Sequence, residues 1–80
     1  MDENTLQSAT LIEGTVERIT YSNPANSYTV ASVKLSKETV TVVGILPFLN
    51  EGDTARFEGE YTFHPTYGQQ FKATSFERII

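Results

Sequence analysis

One imidazole, His64, and four tyrosines hold most of the side-chain chemistry that this 80-residue sequence could perform. A nucleophile needs a base within hydrogen-bond reach. With no cysteine and a single histidine, followed at once by Pro65, any triad would have to be built round that one ring. His64 therefore reads as a loop or barrel-mouth residue, not as a base. None of the five glycines lies in a phosphate-cradling GxxxxGKS, GxxxxGKT or GxGxxG context. Glu58 and Glu60 share one side of an alternating segment, but two acids on the polar face of an amphipathic strand are what solubility alone produces. Glu51-Gly52-Asp53 is too sparse for a calcium loop, and thiolate or clustered imidazole ligands are missing. The residues predict no catalytic group and no metal site.

What these residue types do suit is the stacking of rings and the neutralising of phosphates. The net charge of −4 opposes a simple nucleic-acid surface, because nonspecific affinity comes from basic groups facing phosphates. The charges are divided along the chain, however. The stretches from Arg18 to Lys37 and from Tyr61 to Phe76 hold four of the six cations and none of the ten acids. They also hold Tyr21, Tyr28, His64, Tyr67 and Phe71. Rings interleaved with a few cations are the means by which single strands are stacked and held, each good stack contributing about 1–3 kcal/mol. The candidate nucleic-acid-binding residues are Tyr67, Lys72, Lys34, Lys37, Arg18, His64 and Tyr28. Tyr67, inside a Pro/Gly segment, is the ring expected to be exposed, whereas Tyr21, Tyr28 and Phe71 lie on strands, where rings more often belong to the core. Four cations would bind single strands weakly at physiological salt, which suits one part of a longer DNA path.

The elements that must position these side chains are strands. Residues 1–10 show no periodicity and read as a flexible arm. From Leu11, Ile12, Gly14 and Val16 alternate with Glu13, Thr15 and Glu17. The parity then shifts to Ile19 and Tyr21, which predicts a bulge near Glu17-Arg18 in one long bent strand. Ser22 to Ser27 is a loop dense in turn formers. Tyr28–Leu35 and the valine-rich Glu38–Leu46 form a hairpin across Ser36-Lys37. Pro47 stops the third strand, and Phe48-Leu49 is expected to plug one end of the barrel, in one helical turn at most. In the fourth strand Ala55, Phe57, Gly59, Tyr61 and Phe63 form the expected core face. Gly59 there would let the sheet coil or a neighbouring side chain approach. His64–Gly68 turns the chain into a fifth strand, Gln69–Ile79.

Five strands in so short a chain are too few for an immunoglobulin-like sandwich. A long bent first strand and a short plug after the third favour an all-β, five-stranded Greek-key barrel of the oligonucleotide/oligosaccharide-binding (OB) type over an SH3-like barrel. In that fold the ligand lies across strands two and three, between the loops joining strands one to two and four to five. The acid-free stretches cover those loops and strand two. The absence of cysteine points to a reducing compartment, and Met1-Asp2-Glu3-Asn4 lacks the basic start of a signal peptide. A cytoplasmic protein without membrane contact is expected.

With the loops in hand, the chain resembles the N-terminal OB domain of RecD/TraA-type helicases, bacterial relatives of the exodeoxyribonuclease V alpha subunit. The likeness covers nearly everything after the arm. It is carried by Glu13-Gly14-Thr15-Val16-Glu17, Asn23-Pro24 with Tyr28-Thr29-Val30, Gly44 with Leu46-Pro47, and Gly59 followed by His64-Pro65 and Tyr67-Gly68-Gln69-Gln70-Phe71. Two positions depart from the pattern. Ser27 stands where the family usually has Gly, and Thr66 stands where a Lys is common. The resemblance implies a parent chain that is an ATP-driven 5′ to 3′ DNA helicase of repair and recombination, with ATP and Mg²⁺ bound outside these residues. Arg78-Ile79-Ile80, with no polar tail, reads as the edge of a fragment. The domain itself is expected either to hold single-stranded DNA or to pack, as a structural or protein-interaction module, on the remainder of the helicase chain or a partner.

Overall fold

Five strands follow one another in the computed structural model, which describes residues 10–79. They are β1 (Thr10–Asn23), β2 (Tyr28–Lys34), β3 (Thr39–Ile45), β4 (Thr54–His64) and β5 (Gly68–Ile79). They close into a barrel in the order β1-β2-β3-β5-β4, with β4 returning to β1. All pairs are antiparallel except β3 with β5, which run parallel through Val42↔Phe71 and Val43↔Lys72. This is the OB arrangement. The expected arm lies outside the described residues apart from Thr10, which begins β1.

β1 is long because it serves both sides of the barrel. Thr10–Thr15 pairs with β4, and Thr15–Asn23 pairs with β2. Between these two duties the strand must bend, and register shifts fall between Val16 and Arg18 and again between Ile19 and Tyr21. The first is the bulge that the parity shift at Glu17 predicts. The segment after β3 docks on this bend. The Val16 N–H donates to the Asp53 carbonyl (2.8 Å), the Gly52 N–H donates back to the Val16 carbonyl (2.8 Å), and the Ile19 N–H donates to the Glu51 carboxylate (2.9 Å). Backbone groups freed by the bulge are thus satisfied without a ladder partner.

Ile12, Val16, Ala31, Val33, Val42 and Leu46 meet Phe57 and Phe71 in a single core. Phe57 stacks on Phe76 at 6.1 Å between centroids, and Tyr61 meets the edge of Phe71 at 5.1 Å. Gly59 faces this core at the crossing of β4 and β5, where a Cβ would fall on the Lys72 carbonyl oxygen and 2.8 Å from the Ala73 Cα. It is a neighbouring backbone, not a side chain, that needs the space. Thr74 is the extra residue of a β5 bulge at this point, and its hydroxyl donates to the Glu58 carbonyl (3.0 Å).

Two expectations of the sequence need correction. The buried face of β4 ends at Gly59; Tyr61 and Phe63 are exposed, because beyond the Thr10↔Gly59 pair β4 has no second strand beside it among the described residues and runs on with β5 as a hairpin. Of the expected plug, only Leu49 is buried. Phe48 is 84% exposed with φ 65°, because the turn there sends the two side chains opposite ways. No helix occurs among the described residues, and none is long and apolar enough to cross a membrane.

Candidate nucleic-acid interface

The loop between β1 and β2 is built by its own side chains. The Asn23 carboxamide oxygen accepts from the Ala25 N–H (2.9 Å), and the Asn26 carboxamide oxygen accepts from the Tyr28 N–H (2.9 Å). Short amides turn the chain in this way by capping nearby N–H groups. The Ser27 carbonyl accepts from the Leu46 N–H (3.1 Å) and the Thr29 hydroxyl (3.0 Å), fixing the loop to the end of β3. This sets Tyr21 beside Tyr28, their ring centroids 6.4 Å apart at 58°.

Across from them stands the β4–β5 hairpin. His64 Nδ1 accepts from the backbone N–H groups of Thr66 (3.0 Å) and Tyr67 (3.2 Å), so the ring organises the turn that follows it. An Nδ1 that accepts twice leaves the proton on Nε2, and the ring presents a donor to its surroundings. His64 and Tyr67 lie 4.8 Å apart between centroids at 38°.

The two ring pairs enclose one groove of about 500 Å³. Tyr21, Tyr28 and Thr20 form one wall, and His64, Tyr67 and Gln70 the other. Val30, Thr41 and Val43 make the floor. Val43 is only 7% exposed, yet it stands outside the core cluster that holds Val42, as alternation along β3 requires. Tyr67 is 74% exposed, Tyr21 52% and Tyr28 37%. The expectation that Tyr21 and Tyr28 belong to the core is therefore wrong, while Phe71 is fully buried as expected. The second β1 bulge, between Ile19 and Tyr21, sets the outward direction of Tyr21, and no residue type announces it.

The seven candidates separate into groups. Tyr28, His64 and Tyr67 line the groove. Arg18 and Lys34 continue its outer face along the ladder, where Arg18 pairs with Ser32 and Lys34 with Thr39. Lys72 borders it on β5, between Val43 and Glu60. Lys37 falls in the β2–β3 turn. Among the described residues every ion pair is made by the two other cations. Arg56 lies 3.7 Å from Glu13 and 3.8 Å from Glu77, and Arg78 lies 3.7 Å from Asp53. Among the described residues the cations of the acid-free stretches have no carboxylate partner. Thr20, Tyr21, Val30, Thr41, Val43 and Gln70 line the groove and are not among the candidates. Alternation could have found Val30 and Val43, but the lie of the hairpin over them is a tertiary fact.

No carboxylate lines the groove, and no group of three His, Asp or Glu side chains among the described residues could hold a metal ion. The arrangement can stack flat apolar rings and offer them hydroxyl, amide and imidazole donors. Residues 9–80, all but the first eight, match the family model described as the OB-fold domain of ATP-dependent DNA helicase YrrC.

Proposed function

The chain belongs to the family of OB-fold domains of the YrrC type of ATP-dependent DNA helicase, and from that premise we propose that its groove holds single-stranded DNA for the motor of its parent chain. The observation that carries this reading is the groove itself: two ring pairs, of exposed Tyr21, Tyr28 and Tyr67 and half-buried His64, face each other over a floor of two valines and a threonine, with no acid in the lining. A stacked base loses little by leaving water here. Arg18 and Lys34, which pair with no carboxylate among the described residues, stand on the adjoining rows for the phosphates. We assign the parent chain to the RecD/TraA-type helicases, relatives of the exodeoxyribonuclease V alpha subunit that move 5′ to 3′. ATP and Mg²⁺ would be used by other parts of that chain, and this domain would contribute no catalytic group. The reading also implies a cytoplasmic setting in DNA repair or recombination.

Titrating a fluorescein-labelled oligothymidylate with the 80-residue chain at low salt tests the proposal. Binding should weaken about 5- to 100-fold when Tyr67 or Tyr21 is replaced by Leu, the loss of one stack. An oligonucleotide that does not bind, or that binds both variants as tightly as the unaltered chain, would defeat it.

One observation favours a second reading, in which the domain packs on the rest of the helicase. Phe48 holds a bulky apolar ring in solvent on a left-handed backbone, an uncommon and costly conformation for such a residue. If that ring is a docking point, Phe48→Asn should lower the melting temperature of the parent helicase and leave oligonucleotide affinity intact. An unchanged melt would remove this alternative.

A further inference from the structure

A second hollow, also of about 500 Å³, adjoins the ring-lined groove, and the two share Thr20. Its lining is of a different kind: Glu17, Arg18, Ser32 and Thr39 join Thr20, with no ring among them. The ladder explains its place. On the outer face of β1–β2–β3, Tyr21 stands beside Val30 and Val43, Arg18 beside Ser32 and Thr41, and Thr15 beside Lys34 and Thr39. Moving along β2 from Tyr28 to Lys34, the face passes from aromatic to apolar to cationic. The Thr20 hydroxyl already donates to the Val30 carbonyl (3.0 Å), so Thr20 forms the wall between the hollows. Arg18 and Lys34 pair with no carboxylate among the described residues. Alternate outward residues on a strand are about 6.6 Å apart, a spacing comparable to that of successive phosphates in an extended single strand.

We infer that this second hollow is a phosphate subsite, and that a single strand leaves the ring groove along β2, its backbone on Arg18, Ser32 and Lys34. The inference rests on the groove being a single-stranded DNA site, and adds a direction and a length to it. The chain offers a poorer exit over β4 and β5, since on that outer face Glu58, Glu60 and Glu77 outnumber Arg56 and Lys72, and each of these two cations stands opposite one of the acids. Glu17, held outward by the bulge, faces the proposed path and opposes the phosphate beside Arg18. Removing its charge should therefore strengthen binding, which a merely solvated acid would not do selectively for longer strands.

The test compares oligothymidylates of about 4 and about 12 nucleotides, within the range of site sizes of OB folds. Each is titrated by anisotropy against the 80-residue chain over a series of salt concentrations. Arg18→Gln and Lys34→Gln should each weaken the longer oligonucleotide about 3- to 10-fold at low salt. Each should lower the slope of log affinity against log salt by about 0.7, the loss of one contact to a single strand. The shorter oligonucleotide should be unaffected, and Glu17→Gln should tighten the longer one about 2- to 3-fold. Tyr67→Leu serves as the control that weakens both. If Arg18→Gln and Lys34→Gln leave the longer oligonucleotide unchanged while Tyr67→Leu weakens it, the path is wrong and the groove stands. If neither oligonucleotide binds the unaltered chain, the groove reading fails and takes the path with it. All three charged side chains are exposed, so their neutralisation leaves the thermal melt as a check on folding.

Discussion

Ser27 shows how one residue can bear the cost of a site's geometry. It enters β2 with φ 64°, and both its backbone groups are bonded, the N–H to the Asn23 carbonyl at 2.7 Å and the carbonyl to the Leu46 N–H. The left-handed region costs an L-residue about 1–2 kcal/mol, and Gly alone would adopt it without that cost. Ser27→Gly keeps every backbone bond and removes that strain, offset in part by the greater freedom of Gly when unfolded. A gain of about 0.5–1 kcal/mol is expected in denaturant unfolding, and a β-branched Ser27→Val should lose at least as much. Equal midpoints for all three would refute the strain. His64 makes a second residue-scale case. Its Nδ1 orders the hairpin turn, so Asn, whose oxygen can accept the same N–H groups, should preserve the turn where Ala cannot. In His64→Ala the Thr66 and Tyr67 amides should exchange with solvent faster. Global stability should fall by no more than about 1 kcal/mol, because the freed groups are exposed. Equal exchange in the Asn and Ala variants would count against the ring as organiser.

At the scale of elements, β4 and β5 depend on Gly59. No Cβ fits against the Lys72 carbonyl, and both strands are continuous through that point with Phe57 and Phe71 buried on either side. Gly59→Ala must push the strands apart, an overpacking that costs typically about 1–3 kcal/mol. For a domain of this size the melting temperature should drop by at least about 4 °C. A melt within 1–2 °C, or about that, of the unaltered chain would mean that the bulge at Thr74 absorbs the methyl group. Gly44 (φ 152°) faces a similar approach, with the Ala73 carbonyl 2.5 Å from where its Cβ would be. Period-two alternation made all five strands legible, and the parity shift at Glu17 made the first bend of β1 legible too. The site was less so. Alternation says that Tyr61 and Phe63 share a side with Phe57, but not that beyond Gly59 β4 keeps only β5 beside it among the described residues. It puts Tyr21 on a strand, but a bulge with no marker residue decides which way it points. Such errors arise because parity records direction, while burial depends on what lies opposite.

For the whole molecule, the division of charge along the chain becomes a division between faces. Arg18 and Lys34 occupy the outer rows of β1–β2–β3, whereas Glu13, Glu58 and Glu77 occupy those of β1–β4–β5, with Arg56 held between Glu13 and Glu77. A net charge of −4 would repel a polyanion at long range, and the local cations would attract it at contact. These two effects differ in how salt weakens them. Repulsion acting across the barrel is screened once the separation exceeds the Debye length of about 10 Å at 0.1 M salt, while contacts at the groove persist. Glu58→Gln combined with Glu77→Gln should therefore raise oligonucleotide affinity about 2- to 3-fold at about 0.01 M salt, where the Debye length is about 30 Å, mainly through a faster association rate. At about 0.15 M salt the difference should vanish. Arg18→Gln should lower affinity at both concentrations, through faster dissociation. Should the double carboxylate variant bind more tightly at both concentrations, the acidic face would have to lie within contact range of the strand. The groove would then not be where the DNA sits.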